Sequence, residues 1–302
     1  MQVIFCSDPF DSRTPDPDYD AEAQSAESMG VELSLISYEA LVNEGDALRA
    51  TRKVPLRTEP ELAIYRGWML APQKYEQLYQ ALLSRGLRLI NDPSAYKHCH
   101  YFPESYALIE RHTPKSIWTD ISSAPSIDDI MELLKPFGAG PIIVKDFVKS
   151  RKHEWEEACY IPSASDISAV ERVVDKFVEL QGEDLSGGLV FREFVEFEPL
   201  TVHSKSGMPL TKEFRTFFLD GQPLLTARYW EEGDYGQVAI HAPELMEVAK
   251  SVRSRFFTMD IAKQTDGGWM IVELGDAQVA GLPETVDAAQ FYEALVQHWP
   301  KA

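Results

Sequence analysis

Cysteine is scarce in this chain: three residues in 302, Cys6, Cys99 and Cys159, odd in number and far apart. That excludes a disulfide scaffold and points to a reducing compartment. Long apolar runs are missing as well, so no membrane span is expected. The opening MQVIFCSDPF has neither the basic start nor the apolar stretch of a signal peptide. Positive charge is in short supply, with 29 Lys and Arg against 48 Asp and Glu and a net charge of −19. So acidic a balance argues against nucleic acid or an anionic membrane as the main partner, while leaving room for a local basic pocket. Repeats and low-complexity tracts are absent. Together these absences predict a cytoplasmic globular protein.

What remains is ordinary in bulk, 44% hydrophobic and 25% charged. A chain of 302 residues exceeds one compact core, so two or three modules are expected. Short apolar strands at Val3–Cys6, Val31–Ile36, Ala63–Arg66 and Leu87–Ile90 alternate with a helix from about Tyr19 to Gly30 and one opened by Pro72 and stopped by Gly86. That succession predicts a small α/β module ending at the turn Asn91-Asp92-Pro93. Beyond it the sequence predicts helices from Pro103 to Ile109, from Ser126 to before Pro136, and from the cap Asp166 to Gly182. Strands follow at 141–145 and 188–197, then a hairpin turning at Asp220-Gly221, a helix from Pro243 and a closing helix over 286–299.

Three groups carry the chemistry. The first is FFTMDIAKQTDGGWMIVELGDAQVAGLP, residues 256–283, read as a hairpin turning at Asp266-Gly267. In that register Met259 faces Leu274, Ile261 faces Val272, and Asp260 faces Glu273. Two opposed carboxylates at about 4 Å repel by about 1 kcal/mol in water and about 4 at a protein-like dielectric, unless a cation lies between them. A hard divalent cation such as Mg²⁺ fits, with Asp276 able to add an oxygen; an exposed hairpin with its acids in solvent is the plain alternative. The second group is the basic segment Lys145-Asp-Phe-Val-Lys149-Ser-Arg151-Lys152-His153. It reads as a clamp for polyphosphate or as a solvated loop. The third, GGLVFREFVEFEP, is a strand whose exposed backbone edge could hydrogen-bond adenine, with Glu193 or Glu198 on the ribose; an ordinary edge strand has the same look. Centring the second hairpin on Asp220-Gly221 sets Arg215 against Thr226 and Glu213 against Arg228, a polar face with two guanidiniums.

In this order the groups resemble the ATP-grasp superfamily, and KDFVKSRKHEW, GGLVFREFV and VELGDAQVAGLPE are similar to bacterial ATP-grasp proteins of about this length. The resemblance covers nearly the whole chain and implies an α+β ATP-grasp fold, two α+β subdomains clamping a nucleotide. Residues 93–190 would form the central subdomain and 191–302 the C-terminal one, preceded by a small α/β domain over 1–92. It implies Lys97 and Lys145 on the nucleotide phosphates and Glu193, Phe194 and Val195 as the hinge that reads adenine. Glu198 would take the ribose, Asp260 and Glu273 Mg²⁺, and Arg215 and Arg228 the transferred phosphoryl group and reacting carboxylate.

Two departures stand out. No glycine occurs between Gly140 and Gly182, so Lys149, Ser150, Arg151 and Lys152 would bind phosphate with side chains in place of a glycine-rich loop. The usual Glu-x-Asn metal motif is here Glu273-Leu-Gly-Asp276, with Asp276 as the substitute ligand. The implied activity is ATP- and Mg-dependent ligation of a carboxylate to an amine through an acylphosphate, on small-molecule or peptide substrates. A nucleotide-binding module without turnover and a phosphotransferase are the alternatives. Outside these groups, His98-Cys99-His100 suggests a metal if it lies on a strand, though no second cluster completes a site. Arg66 reads as an anchor for an acidic group or a salt bridge, Trp68 and Trp155 as packing residues, and Asp8 and Asp11 as turn or cleft residues.

Overall fold

The computed structural model describes residues 1–121 and 125–300. It opens with a parallel sheet of β1 (Gln2–Cys6), β2 (Glu32–Ile36), β3 (Glu61–Arg66) and β4 (Leu87–Leu89), in the order β2-β1-β3-β4. Helices α1 (Asp20–Ser28), α2 (Tyr38–Val42), α3 (Ala47–Ala50) and α4 (Pro72–Leu83) connect the strands. Every residue of β1 is buried, as expected where a parallel sheet is covered on both faces. Ile4 and Cys6 face the core of α4, whereas Val3 and Phe5 face that of α1.

Two helices, α5 (Pro93–His100) and α6 (Phe102–Ile109), lead into an antiparallel sheet of β5 (Ser116–Asp120), β6 (Ile142–Asp146), β7 (Tyr160–Ile161) and β8 (Gly188–Glu193), ordered β5-β8-β6-β7. His98, Cys99 and His100 therefore lie on a helix, and consecutive helical residues do not share a face. The metal reading of that tripeptide falls with the strand it needed. Helices α7 (Ile127–Leu134), α8 (Trp155–Ala158) and α9 (Ile167–Gln181) accompany the sheet, and the core of α7 and α9 covers Ile142, Val144, Leu189 and Phe191. The caps read in the sequence are present: Ser126 forms a capping box with Asp129, and the Asp166 carboxylate accepts from the backbone of Ser168 and Ala169.

A two-stranded ribbon, β9 (Pro199–Val202) with β10 (Pro209–Thr211), precedes the last sheet. That sheet is β11 (Glu213–Leu219), β12 (Gln222–Arg228), β13 (Phe256–Lys263) and β14 (Trp269–Asp276), ordered β12-β11-β13-β14 and antiparallel. Helix α10 (Pro243–Ser251) packs in the core under it, while α11 (Ala288–His298) returns to α1. Both ends of the chain thus share one core, in which Phe291, Tyr292 and Leu295 meet Val3 and Phe5.

Both hairpins depart from the simple register, each by a bulge. At β11–β12 the two-residue turn is the one read in the sequence, with Asp220 and Gly221 both at positive φ (49° and 73°). Leu224 is then an extra residue, so Phe214 and not Glu213 pairs with Arg228, and Arg215 pairs with Ala227. At β13–β14 the loop holds three residues, Thr265 to Gly267, with Gly267 N donating to Gln264 O and Gly267 at φ 96°. Ile261 consequently pairs with Ile271 and not with Val272. Val272 is the extra residue on β14, and beyond it Asp260 meets Glu273 and Met259 meets Leu274 as expected.

Candidate functional site

Asp260 and Glu273 stand opposite each other on β13 and β14, and their repulsion is relieved by cations of the protein. Arg215, across from Asp260 on β11, forks both carboxylate oxygens, Nε to Oδ1 at 2.8 Å and Nη2 to Oδ2 at 2.7 Å. Lys145, at the end of β6 in the other sheet, donates to Glu273 Oε1 at 2.5 Å. Burial works against the Glu273 charge, but Lys145, with Lys152 and Arg215 behind it, outweighs burial and holds the carboxyl below its usual range. The Asp260 side chain is 4% exposed and that of Glu273 33%, so Glu273 is the one open to a ligand.

Asp276 is placed differently from its expected role. Its Oδ2 accepts from Asn91 Nδ2 at 2.6 Å and its Oδ1 from Gln278 N and Nε2 at 3.0 and 3.2 Å. Gln278 in turn donates to Tyr75 Oη and accepts from Tyr65 N. Asp276 borders the cavity at the carboxylate pair, yet its oxygens are committed to a clasp on the N-terminal sheet. Burial pushes its carboxyl up to about 7. Arg66 belongs to the same clasp and anchors no open site: it is buried, forks Glu22, and donates to the carbonyls of Ala277 and Ala280.

The turn after β6 explains how a segment without glycine is shaped. The buried Asp146 carboxylate accepts from Val148 N, Lys149 N, Ser186 N and Gln181 Nε2. Of the basic residues that follow, Lys149 is exposed and Arg151 is paired with Glu154. Lys152 is the one of these that crosses the cleft, its ammonium 5.3 Å from the ring centres of both Tyr229 and Trp230. Burial disfavours its charge, but Tyr229, Glu213, Glu273 and Asp260 outweigh burial and keep it protonated. Lys97 is not brought into this group. It sits on α5 in an ion pair with Glu104, against a separate surface groove with Arg253. One turn later His100 lines the cavity at the carboxylate pair instead, with burial lowering its pKa to about 4 so that it is neutral.

A cavity of about 530 Å³ lies between the two sheets, lined by Ile143, Lys152, the Glu193–Phe197 segment, Leu210, Glu213 and Val272 among others. The segment Glu193, Phe194 and Val195 thus borders it as expected, and Phe194 N is spent on Pro141 O. Glu198 does not line it. Its carboxylate is held by Lys212 and Lys263 at 2.5 and 2.6 Å, which lower its pKa. Arg228 is also displaced: the Leu224 bulge turns it to the face opposite Arg215, where it lies 5.3 Å from the Tyr235 ring centre. A smaller cavity of about 180 Å³ is lined by Asp260, Glu273, Arg215 and Tyr229, and an open groove of about 540 Å³ shares Arg215, Tyr229 and Gly281 with it.

Two residues of the site carried no role in the sequence. Glu213 is buried on the Arg215 face and lines the large cavity, with burial and the Asp260 charge prevailing over Lys152 to push its carboxyl up to about 7. Arg192, buried on β8, donates to the backbone of β14. A charged residue inside an otherwise apolar strand was the only available signal for it. Among the described residues no cluster of three or more His, Cys, Asp or Glu is arranged to hold a metal, and no helix is long and apolar enough to cross a membrane.

The likenesses to known proteins point the same way. A family profile described as an ATP-grasp domain, the third family of its clade, matches residues 136–295. A search of curated proteins finds no match. Among solved structures the chain is similar to the ATP-grasp ligase PsnB complexed with a phosphomimetic variant of minimal precursor, Mg and ADP, with TM-score 0.59, 15% identity, and 98% of this chain and 97% of that one covered. D-cycloserine synthetase DcsG gives TM-score 0.59 at 14% identity, covering 98% and 99%. D-alanine–D-alanine ligase from Bacillus anthracis complexed with ATP gives 0.56 at 13%, covering 98% and 95%. At such identities the likeness speaks to the fold, an α+β architecture with a preceding α/β unit. With its profile match spanning more than half of the sequence, the chain belongs to the ATP-grasp family.

Proposed function

We propose that this protein is an ATP-dependent ligase that joins a carboxylate to an amine through an acylphosphate. The observation that carries the reading is the convergence of Lys145 and Lys152 from one sheet with Asp260, Glu273 and Arg215 from the other. Val272 lines the large cavity and Glu273 the small one; Glu213 and Arg215 divide in the same way. A nucleotide with its base against the Phe194 segment and its phosphates towards Lys145 and Lys152 would therefore end at the carboxylate pair. ATP and Mg²⁺ are named with the solved ligases described above, which agrees with this reading.

The donor set fits magnesium delivered with a triphosphate. Asp260 and Glu273 offer two carboxylates on one face, Asp276 is spent elsewhere, and Mg²⁺ binds through one or two carboxylates plus phosphate oxygens and water. Asp260 and Glu273 would hold it, and its chemistry is neutralisation of charge on the phosphates. Lys145, released from Glu273, would take a phosphate oxygen. The substrate carboxylate attacks the γ-phosphorus, the bond to the β-phosphate oxygen breaks, and ADP leaves. The amine then attacks the carbonyl carbon, loses a proton and expels phosphate. Arg215, at the border of the small cavity and the open groove, is aimed at charge on the transferred group and on the tetrahedral oxygen.

The groove of about 540 Å³ beside Arg215 supports turnover over a sensing role, since an acceptor has room to reach the reaction centre. The test is ADP release with Mg²⁺ and pooled acids and amines, with product masses read out. Mass gain by condensation supports the reading. Phosphorylated product without condensation would support a phosphotransferase, and undiminished turnover in Asp260→Asn and Glu273→Gln would overturn the site.

A further inference from the structure

The alignment of Asp260 with Glu273 depends on an irregularity of β14. The three-residue loop Thr265–Gly267 sets Lys263 against Trp269 and Ile261 against Ile271. Carried on without interruption, that register would place Val272 opposite Asp260 and turn Glu273 to the apolar face, because side chains alternate along a strand. The extra residue Val272 cancels the offset and returns Glu273 to the Asp260 face.

A bulge leaves backbone groups outside the ladder, and here they are met from the opposite sheet. Arg192 Nη1 donates to Val272 O at 2.6 Å, and its Nη2 to Ile271 O at 3.1 Å and Thr113 Oγ1 at 2.5 Å. Thr113 Oγ1 in turn donates to Ile271 O at 2.7 Å, and Ile271 N donates to His112 O at 2.6 Å. The guanidinium is 5.4 Å from the Phe102 ring centre, and Arg192 is only 5% exposed. A buried cation spent on carbonyls one residue before Glu273 has a specific job there. Arg192 also precedes Glu193, the first residue of the segment that borders the large cavity.

We infer that Arg192 is a positioning residue: by latching the Val272 bulge from β8, it keeps Glu273 on the Asp260 face and so builds the magnesium-binding half of the site. The inference rests on the functional reading above but concerns metal use, not the acceptor. Removing the latch lets β14 relax towards the unbulged register, which weakens the carboxylate pair and leaves the base-binding cavity in place.

The test is calorimetric binding of a non-hydrolysable ATP analogue to the full chain, in EDTA and across a magnesium titration, for wild type, Arg192→Gln, Arg192→Lys and Glu273→Gln. In Arg192→Gln the magnesium concentration for half-maximal enhancement is expected to rise about ten- to a hundredfold, with affinity in EDTA within about twofold of wild type. Arg192→Lys, a point charge without a fork, is expected to recover only part of the shift. An unchanged magnesium requirement in Arg192→Gln, or equal losses with and without magnesium, would overturn the inference. If Arg192→Gln does not fold, Thr113→Val keeps the guanidinium and removes one arm of the latch; a several-fold shift in the same direction supports the inference and none overturns it. Wild-type binding that ignores magnesium overturns the reading of the whole site, whereas magnesium dependence in wild type retained unaltered in Arg192→Gln overturns the latch alone.

Discussion

Lys145 Nζ stands 2.5 Å from Glu273 Oε1, a contact between the ends of two sheets separated by 128 residues in the chain. Without a ligand the lysine fills the place of the cation that the opposed acids require. Binding of a magnesium–nucleotide is then an exchange of partners: the metal takes the carboxylates while the lysine moves to phosphate. Lys145→Met is expected to abolish measurable nucleotide binding. It also leaves Glu273 beside Asp260 with less compensation, a loss of about 1–3 kcal/mol in urea denaturation, below the full cost of breaking a buried pair because Glu273 is partly solvated. A variant as stable as wild type that still binds nucleotide would refute the exchange.

The two arginines of the β11–β12 hairpin should behave oppositely. Arg215 forks Asp260 and borders the small cavity, whereas Arg228 lies on the other face beside Tyr235. Arg215→Lys keeps a charge but loses the fork, so kcat should fall about a hundredfold or more with the fold intact. Arg228→Ala should leave stability within about 0.5 kcal/mol and turnover near wild type. Steady-state kinetics on both variants decides it, and a dominant effect at Arg228 would contradict the bulged register.

Glu213 and Asp276 give the protein an uncommon pH dependence. Burial is the chief cause at both, and each carboxyl is pushed up to about 7. Between the unfolded value near 4 and that folded value, the native state holds protons that the unfolded chain has released. Stability is therefore full below about pH 4 as far as these groups are concerned, and it is lost as pH rises through 7. Glu273, held low, contributes in the opposite sense, but its loss begins only as pH falls through the ordinary carboxylate range. The unfolding free energy should decline from pH 5 to 7.5. Asp276→Asn should flatten that decline by up to about 1.4 kcal/mol per pH unit. Urea titrations at stepped pH give the slope directly, and an identical slope in wild type and variant would rule out Asp276 as a source.

How far the site was legible follows from particular residues. Alternation of apolar and acidic residues over 256–276 is a local signal, and it correctly paired Asp260 with Glu273. The pairing came out right because two departures cancel: a loop one residue longer than the Asp-Gly turn, and the Val272 bulge. At the other hairpin the Leu224 bulge has no loop offset to cancel it, so Arg228 was assigned to the wrong face. Bulges carry no period in sequence, and nothing in the local pattern reports them. Asp276 shows the other limit. Its partner Asn91 is 185 residues away, and a carboxylate bound at that separation looks identical in sequence to a free one. Lys97 and His100 differ by less than one helical turn, yet only His100 faces the carboxylates.

The N-terminal unit is tied to the reaction centre through Arg66, and its two roles can be separated. Its Nε and Nη2 fork Glu22, which also accepts from Tyr292 Oη, while Nη1 holds the carbonyls of Ala277 and Ala280 at 2.6 and 2.8 Å. Ala280 and Gly281 line the small cavity beside Arg215, so Arg66 shapes the wall of the site without touching it. Arg66→Met alone leaves a buried Glu22 unpaired, with an expected cost of about 3–5 kcal/mol. Adding Glu22→Leu removes the stranded charge, and apolar replacement of a buried ion pair commonly restores most of the stability. The carbonyls of Ala277 and Ala280 stay unheld in the double variant, so turnover should remain depressed after stability has returned. Unfolding curves and kinetics on the single and double variants separate the two effects. Recovery of both together would mean that Arg66 serves the fold alone.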